Sequence, residues 1–158
     1  MKQLIECVPN ISEGRDMNII NQVVAEVEKV EGVKLLDVDP GATTNRTVIT
    51  FVGEPEQVCE AAFLLVKKAQ ELIDMRNHHG DHPRFGATDV CPLIPVANIT
   101  MDEVVGYARK LGERIGTYKE IIYQIGNNAK YHKKIYEMLC KYPGIAEIHD
   151  RSEEHTSE

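Results

Sequence analysis

"VKLLDVDPGATTNRTVITFVG", residues 33–53, decides the fold. It holds two β-forming runs joined by a turn rich in Pro40, Gly41 and Asn45. "VKLLDVD" reads as one strand, "PGATTN" as the turn and "RTVITFVG" as the next strand. In the second run Val48, Thr50 and Val52 alternate with Thr47, Ile49 and Phe51. Both faces are apolar-rich, so a covered strand is expected. Asp37 and Asp39 lie in the first run and are expected to face opposite sides, one toward a site and one held by backbone.

A helix flanks this hairpin on each side. Upstream, "KQLIECVPNI" is an apolar run closed by Pro9 and Asn10, and reads as a strand. Ser12 is placed as the N-cap of the helix that follows. That helix carries Ile19, Ile20, Val23, Val24, Val27 and Val30 near helical spacing and stops at Gly32. Downstream, "EPEQVCEAAFLLVKKAQELIDM" has Pro55 in its first turn, acids at its start and Lys67 and Lys68 later, the marks of a strong helix. "DVCPLIPVAN" is a strand broken by Pro92 and Pro95, hence an edge strand. Thr100 and Glu103 form a capping box for the helix "MDEVVGYARKLGERIG". The order is β-α-β-β-α-β-α. That predicts an α/β (α+β) fold, a ferredoxin-like split β-α-β sandwich with a four-stranded sheet and helices mainly on one face.

Residues 1–116 therefore read as one domain. In residues 117–150, Ile121, Ile122, Ile125, Ile135 and Leu139 suggest helical pieces, a divergent or chimeric extension. "RSEEHTSE", residues 151–158, is polar and without periodicity, and reads as a non-native tail.

Composition removes several function classes. The chain has 158 residues, 18 Lys and Arg against 25 Asp and Glu, and a net charge of −7. No basic run exists to hold a phosphate backbone, so no nucleic-acid partner is expected. Apolar stretches are strand-sized, so no membrane span is expected. The first ten residues lack a signal-peptide core, so a cytoplasmic protein is expected. Four widely spaced cysteines read as reduced thiols, neither a disulfide framework nor a zinc ribbon.

Three places hold candidate chemistry. In "HHGDHPRFGATD", residues 78–89, three imidazoles fall within five positions. His78 and His82 are four apart, a metal-ligand spacing on a helix. Gly80 between them and Pro83 after them disfavour a helix, so no metal is expected. A solvated basic turn and an acid–base loop are the other readings. In the second of these, a neutral imidazole takes a proton from an amine while Arg84 forks a carboxylate. In "DVDPGATTNR", Asp39 at a strand end suits a cationic group, against the plainer reading of a hydrogen-bonded turn. In "CVPNISEGR", Asn10 and Ser12 sit between strand and helix, where backbone amides can also receive an anion.

Four segments in order, "ECVPNISEGR", "LLDVDPGATTNRTVITFVG", "LIDMRNHHGDHPRFGATDVCPLIPV" and "LGERIG", make residues 1–116 resemble the N-terminal subdomain of the glutamate formimidoyltransferases. In animals this is the transferase half of formimidoyltransferase-cyclodeaminase. The resemblance implies a ferredoxin-like subdomain and a reaction. A formimino group passes from N-formimino-L-glutamate to N5 of tetrahydrofolate, the co-substrate, in histidine degradation. It puts the catalytic histidine at His82. A carboxylate such as Asp39 would then face the amidinium, and Arg46 and Arg84 would clamp substrate carboxylates. Asn10 and Asn45 would line the pocket. A homo-oligomer is expected of the parent protein.

Departures from the family pattern are His79, where relatives carry Lys, Asp81 for Glu and Phe85 for Met. From Thr117 the resemblance implies a continuation into a second subdomain that residues 117–150 do not match, so an incomplete fragment is expected. A non-catalytic ferredoxin-like module binding folate or an amino acid is the alternative. A metal-dependent hydrolase using His78, His79 and His82 is a third reading.

Overall fold

The computed structural model describes residues 1–81, 85–116, 122–126 and 145–149. The chain divides into two units, Met1–Ile115 and Gly116–Glu158. The first unit begins with strands Leu4–Cys7 (β1) and Asn10–Ile11 (β2) and helix Met17–Glu28 (α1). Strands Lys34–Gly41 (β3) and Arg46–Gly53 (β4) form the hairpin, and helix Pro55–Leu72 (α2) follows. A 3₁₀ turn at Met75–Asn77 leads on to strands Thr88–Val90 (β5) and Leu93–Ala97 (β6) and helix Met101–Gly116 (α3).

β4 is the central strand. β3 runs along one side of it, from Lys34 opposite Val52 to Gly41 opposite Arg46. On its other side, β1 pairs through Ile5–Gly53 and β2 through Asn10–Val48. β6 then pairs with β1 and β5 with β2, and all of these pairings are antiparallel. The sheet has six strands, not the four expected. Pro9 parts β1 from β2, and Pro92 parts β5 from β6, because proline brings no N–H to a ladder. The breaks remain in contact. Val8 N–H donates to the Pro92 carbonyl (3.3 Å) and Ile49 N–H to the Pro9 carbonyl (3.0 Å). The run containing Pro92 and Pro95 lies at a sheet edge, as its prolines predict.

The faces of β4 are unequal. Thr47, Ile49 and Phe51 are buried, while Arg46, Val48, Thr50 and Val52 are half-buried. The expectation of two covered faces fails among the described residues, because α1 and α2 lie on the first face only. α1 presents Ile20, Val23, Val24 and Val27, and α2 presents Val58, Ala61, Ala62, Leu65 and Ala69, both at helical spacing. They meet Ile5, Cys7, Ile49 and Phe51 of the sheet in one core. α3 adds Val104 and Leu111 to that core. Its Arg114 pairs with Glu60 of α2 and lies 3.8 Å over the Phe63 ring. The bond to Arg114 holds the Glu60 carboxyl below its usual range. The capping box forms as read: Thr100 N–H donates to Glu103 Oε2 (2.8 Å) and Glu103 N–H to Thr100 Oγ1 (3.3 Å).

Asp37 and Asp39 do not face opposite sides. They stand opposite Thr50 and Val48, which share the open face. Residues two apart on a strand point the same way.

In the second unit, strands Ile122–Gly126 (β7) and Ile145–His149 (β8) pair in parallel, Ile122 opposite Ile145. The helical pieces expected there are therefore corrected at Ile122 and Ile125. Short apolar runs do not separate helix from strand by period alone. Ile121, Ile135, Leu139 and the tail at 151–158 lie outside the described residues. Among the described residues no helix is long and apolar enough to cross a membrane.

Phe51 is fully buried at the centre of this core. Phe51→Ala is expected to lower unfolding stability by about 3–5 kcal/mol. Urea denaturation reads this as a lower midpoint with an unchanged slope.

Candidate functional site

The turn between β3 and β4 builds the site. Thr44 Oγ1 donates to the Gly41 carbonyl (3.2 Å), which closes the turn. Asn45 follows with a φ of 52°, a left-handed conformation that asparagine tolerates better than most residues. Its side chain is thereby turned inward, and the residue is only 7% exposed. Gly14 N–H donates to Asn45 Oδ1 (2.9 Å), and Asn45 Nδ2 donates to the His79 carbonyl (3.1 Å). His78 Nε2 lies 3.1 Å from the Asn45 carbonyl, which only accepts, so this nitrogen carries a proton. One residue thus ties the β2–α1 connection and the entry of the histidine loop to the hairpin.

The β2–α1 connection is pressed against that turn. A Cβ on Gly14 would collide with the Gly41 carbonyl oxygen and lie 2.6 Å from the Arg46 nitrogen, both backbone atoms. Thr47 Oγ1 donates to the Glu13 carbonyl. Ser12 is not the helix cap. Asp16 is, accepting from Asn18 N–H and Ile19 N–H. Glu13 Oε1 accepts from Arg15 and Asp16 N–H, which turns the chain before the helix can begin. Ser12 is buried and fastens the far end of the histidine loop instead. Its Oγ donates to the Gly86 carbonyl (2.6 Å) and its N–H to the Ala87 carbonyl (2.8 Å).

A second tie holds that exit. Asp89 Oδ2 meets Arg46 Nη2 at 2.5 Å, and Asp89 Oδ1 accepts from Phe85 N–H (2.7 Å). Entry and exit of the loop therefore converge on the consecutive residues Asn45 and Arg46. His82 and Arg84 themselves lie outside the described residues.

Asp39, Val48 and Asn10 form one cross-strand row on the open face. Two strand spacings put Asp39 and Asn10 about 10 Å apart. Asp39 is exposed and Asn10 half-buried. Arg46 ends the same face of β4, two positions from Val48. The structure thus gathers Asn10, Asp39, Asn45 and Arg46 at one end of the sheet. A carboxylate, a guanidinium and the Asn10 amide there can face a ligand that carries charges of both signs, while Asn45 holds the backbone behind them.

Thiols offer less. Cys7 is buried with its Sγ 3.6 Å from Cys91 Sγ, and that contact together with burial pushes its thiol far up. Burial pushes the Cys59 thiol up to about 11. Neither is a nucleophile at neutral pH. Among the described residues no three His, Cys, Asp or Glu side chains converge on a metal position.

Gly14, Asp89 and the tethering role of Ser12 are absent from the sequence reading. Gly14 in "SEGR" was the available signal, since a glycine at a strand–helix joint marks close backbone approach. Asp89 gave none, because its partners are distant in sequence.

Residues 4–147 match the formiminotransferase domain, N-terminal subdomain. The chain is 54% identical over 115 residues to formimidoyltransferase-cyclodeaminase of Sus scrofa, covering 73% of this chain and 21% of that protein. Against the Dictyostelium discoideum formimidoyltransferase-cyclodeaminase it is 44% identical over 151 residues, 93% of this chain and 28% of that protein. Against the glutamate formimidoyltransferase of Streptococcus pyogenes serotype M1 it is 49% identical over 115 residues, 73% of this chain and 38% of that protein. The chain thus spans 21 to 38% of the length of these relatives.

Gly14→Ala is expected to destabilise the fold by about 1–3 kcal/mol, since backbone on three sides cannot yield; thermal unfolding would register it. Just before the histidine loop, bonds from the Arg76 guanidinium and N–H hold the Asp74 carboxyl at about 2. This depressed value stabilises the turn above the ordinary carboxylate range, and the contribution fades as pH falls toward 2. An NMR titration of Asp74 should find that low midpoint, and Arg76→Ala should move it back up.

Proposed function

The chain belongs to the formiminotransferase family, as its N-terminal subdomain, and from that premise we propose that it supplies the proton-transfer half of a glutamate formimidoyltransferase. The reaction moves a formimino group from N-formimino-L-glutamate to N5 of tetrahydrofolate. The observation that carries the reading is the convergence of both ends of the histidine loop on Asn45 and Arg46, beside Asp39 and Asn10.

In this reading N5 attacks the amidine carbon and forms the new C–N bond. His82 takes the N5 proton and returns it to the glutamate nitrogen as the old C–N bond breaks. One imidazole serves both steps, a contribution of about 10²–10⁴-fold. Asp39 faces the cationic amidinium. Arg46 and Arg84 hold substrate carboxylates, while Asn10 and Asn45 line and shape the pocket. Holding both reactants in register supplies the orientation term. No metal enters the chemistry.

The architecture supports a finer assignment. Taken as single strands interrupted at Pro9 and Pro92, β1–β2 and β5–β6 reduce the sheet to four strands in the order 4-1-3-2. That order is the one a ferredoxin-like split β-α-β arrangement would have, and it supports our reading of the fold as a variant of that type. We assign residues 1–116 to this subdomain, residues 117–150 to its divergent extension and residues 151–158 to a non-native tail. We place the parent enzyme in the cytoplasm as a homo-oligomer. A non-catalytic folate- or amino-acid-binding module is the second reading.

The test compares transfer from N-formimino-L-glutamate to tetrahydrofolate by this chain and by His82→Ala. Loss of about 10²–10⁴-fold in kcat supports the transferase. Equal rates in both remove His82 from the mechanism. Tetrahydrofolate binding without turnover in either supports the binding module.

A further inference from the structure

Asp89 is a nearly buried acid at this end of the sheet to which the proposed chemistry gives no task. Its side chain is 3% exposed, and that of its partner Arg46 is 14% exposed. Its two oxygens are divided between two elements. Oδ2 meets the Arg46 guanidinium, and Oδ1 accepts from Phe85 N–H, where the histidine loop rejoins the sheet. A guanidinium shielded from water and held by a fixed carboxylate has its direction set by that carboxylate. We propose that Asp89 is a positioning residue, aiming Arg46 at the open end of the sheet and making the loop exit depend on the same ion pair.

The aiming half of this proposal rests on the reading of Arg46 as a clamp for a substrate carboxylate. The coupling half does not. The geometry makes the coupling selective. Gly86 and Ala87 are fastened independently by Ser12. Loss of the ion pair should therefore loosen the Phe85 amide and leave the Ser12 amide protected. A general loss of packing would loosen both together.

The experiment uses the 158-residue chain with Arg46→Ala, Asp89→Asn and the double variant. Amide exchange is read at Phe85 and Ser12, and KM and kcat are measured for N-formimino-L-glutamate. Arg46→Ala should speed exchange at Phe85 about tenfold without changing Ser12, and the double variant should add nothing beyond the larger single effect. KM should rise about tenfold in each single variant with kcat within about threefold, the mark of lost ground-state binding.

Unchanged Phe85 exchange in folded Arg46→Ala overturns the proposal. So do effects that multiply in the double variant, or exchange at Phe85 and Ser12 that rises in parallel. Where Asp89→Asn does not fold, Asp89→Glu replaces it, keeping the charge and lengthening the arm by one methylene. A raised KM with faster Phe85 exchange then supports positioning, and wild-type values of both overturn it. A wild-type chain that neither binds nor converts N-formimino-L-glutamate overturns the functional reading, and the exchange arm still decides the coupling.

Discussion

The buried amide of Asn45 is the constraint on which this end of the molecule depends. A side-chain amide hidden from water must find partners, or its desolvation goes uncompensated. Asn45 finds them on two other segments, Gly14 N–H and the His79 carbonyl. Its left-handed backbone makes that possible by swinging the side chain in from the hairpin turn. The close fit of Gly14 against Gly41 and Arg46 follows, and so does the path of the chain from β2 into α1. Any side chain built on such a joint inherits its placement from hydrogen bonds made within the protein.

The parts of the fold legible in the sequence were those governed by local periodicity. The stripes on α1 and α2, the alternation along β4, the capping box at Thr100 and the proline-marked edge each follow from residues within a few positions of one another. Ser12 was misread because a serine before a helix satisfies the local capping rule. Asp16 sits closer to the first turn, and Ser12 is drawn to Gly86, which is 74 residues away. The strand count differed for a related reason: Pro9 and Pro92 interrupt the ladders without diverting the chain. The pairing of Ile122–Gly126 with Ile145–His149 is likewise non-local, and periodicity carries no signal for it.

The candidate site was legible as chemistry but not as architecture. Residue types pointed to Asp39 and Asn10, the family resemblance added Asn45 and Arg46, and register gathers these residues at one end of the sheet. What the sequence did not disclose is that two of them already have internal duties. Asn45 spends its amide on backbone, and Arg46 leans on Asp89. Catalytic groups on loops commonly depend on such support. Composition singles out the group that could react and is silent on the group that holds it still.

The sheet's two borders have a consequence for how this protein meets other copies of itself. One border, β6, contains Pro95 and is preceded by Pro92. The other, β3, carries a register irregularity between Leu35 and Asp37 and ends in Asp37, Asp39 and Pro40. Each is a known obstacle to templating a further strand. Ile94 and Val96 nonetheless stand 38% and 54% exposed on the open surface. The six-stranded sheet is thus guarded against growth along its hydrogen-bonding direction while remaining adhesive across it. Self-association through this sheet should therefore stack open face on open face and not extend its ladder.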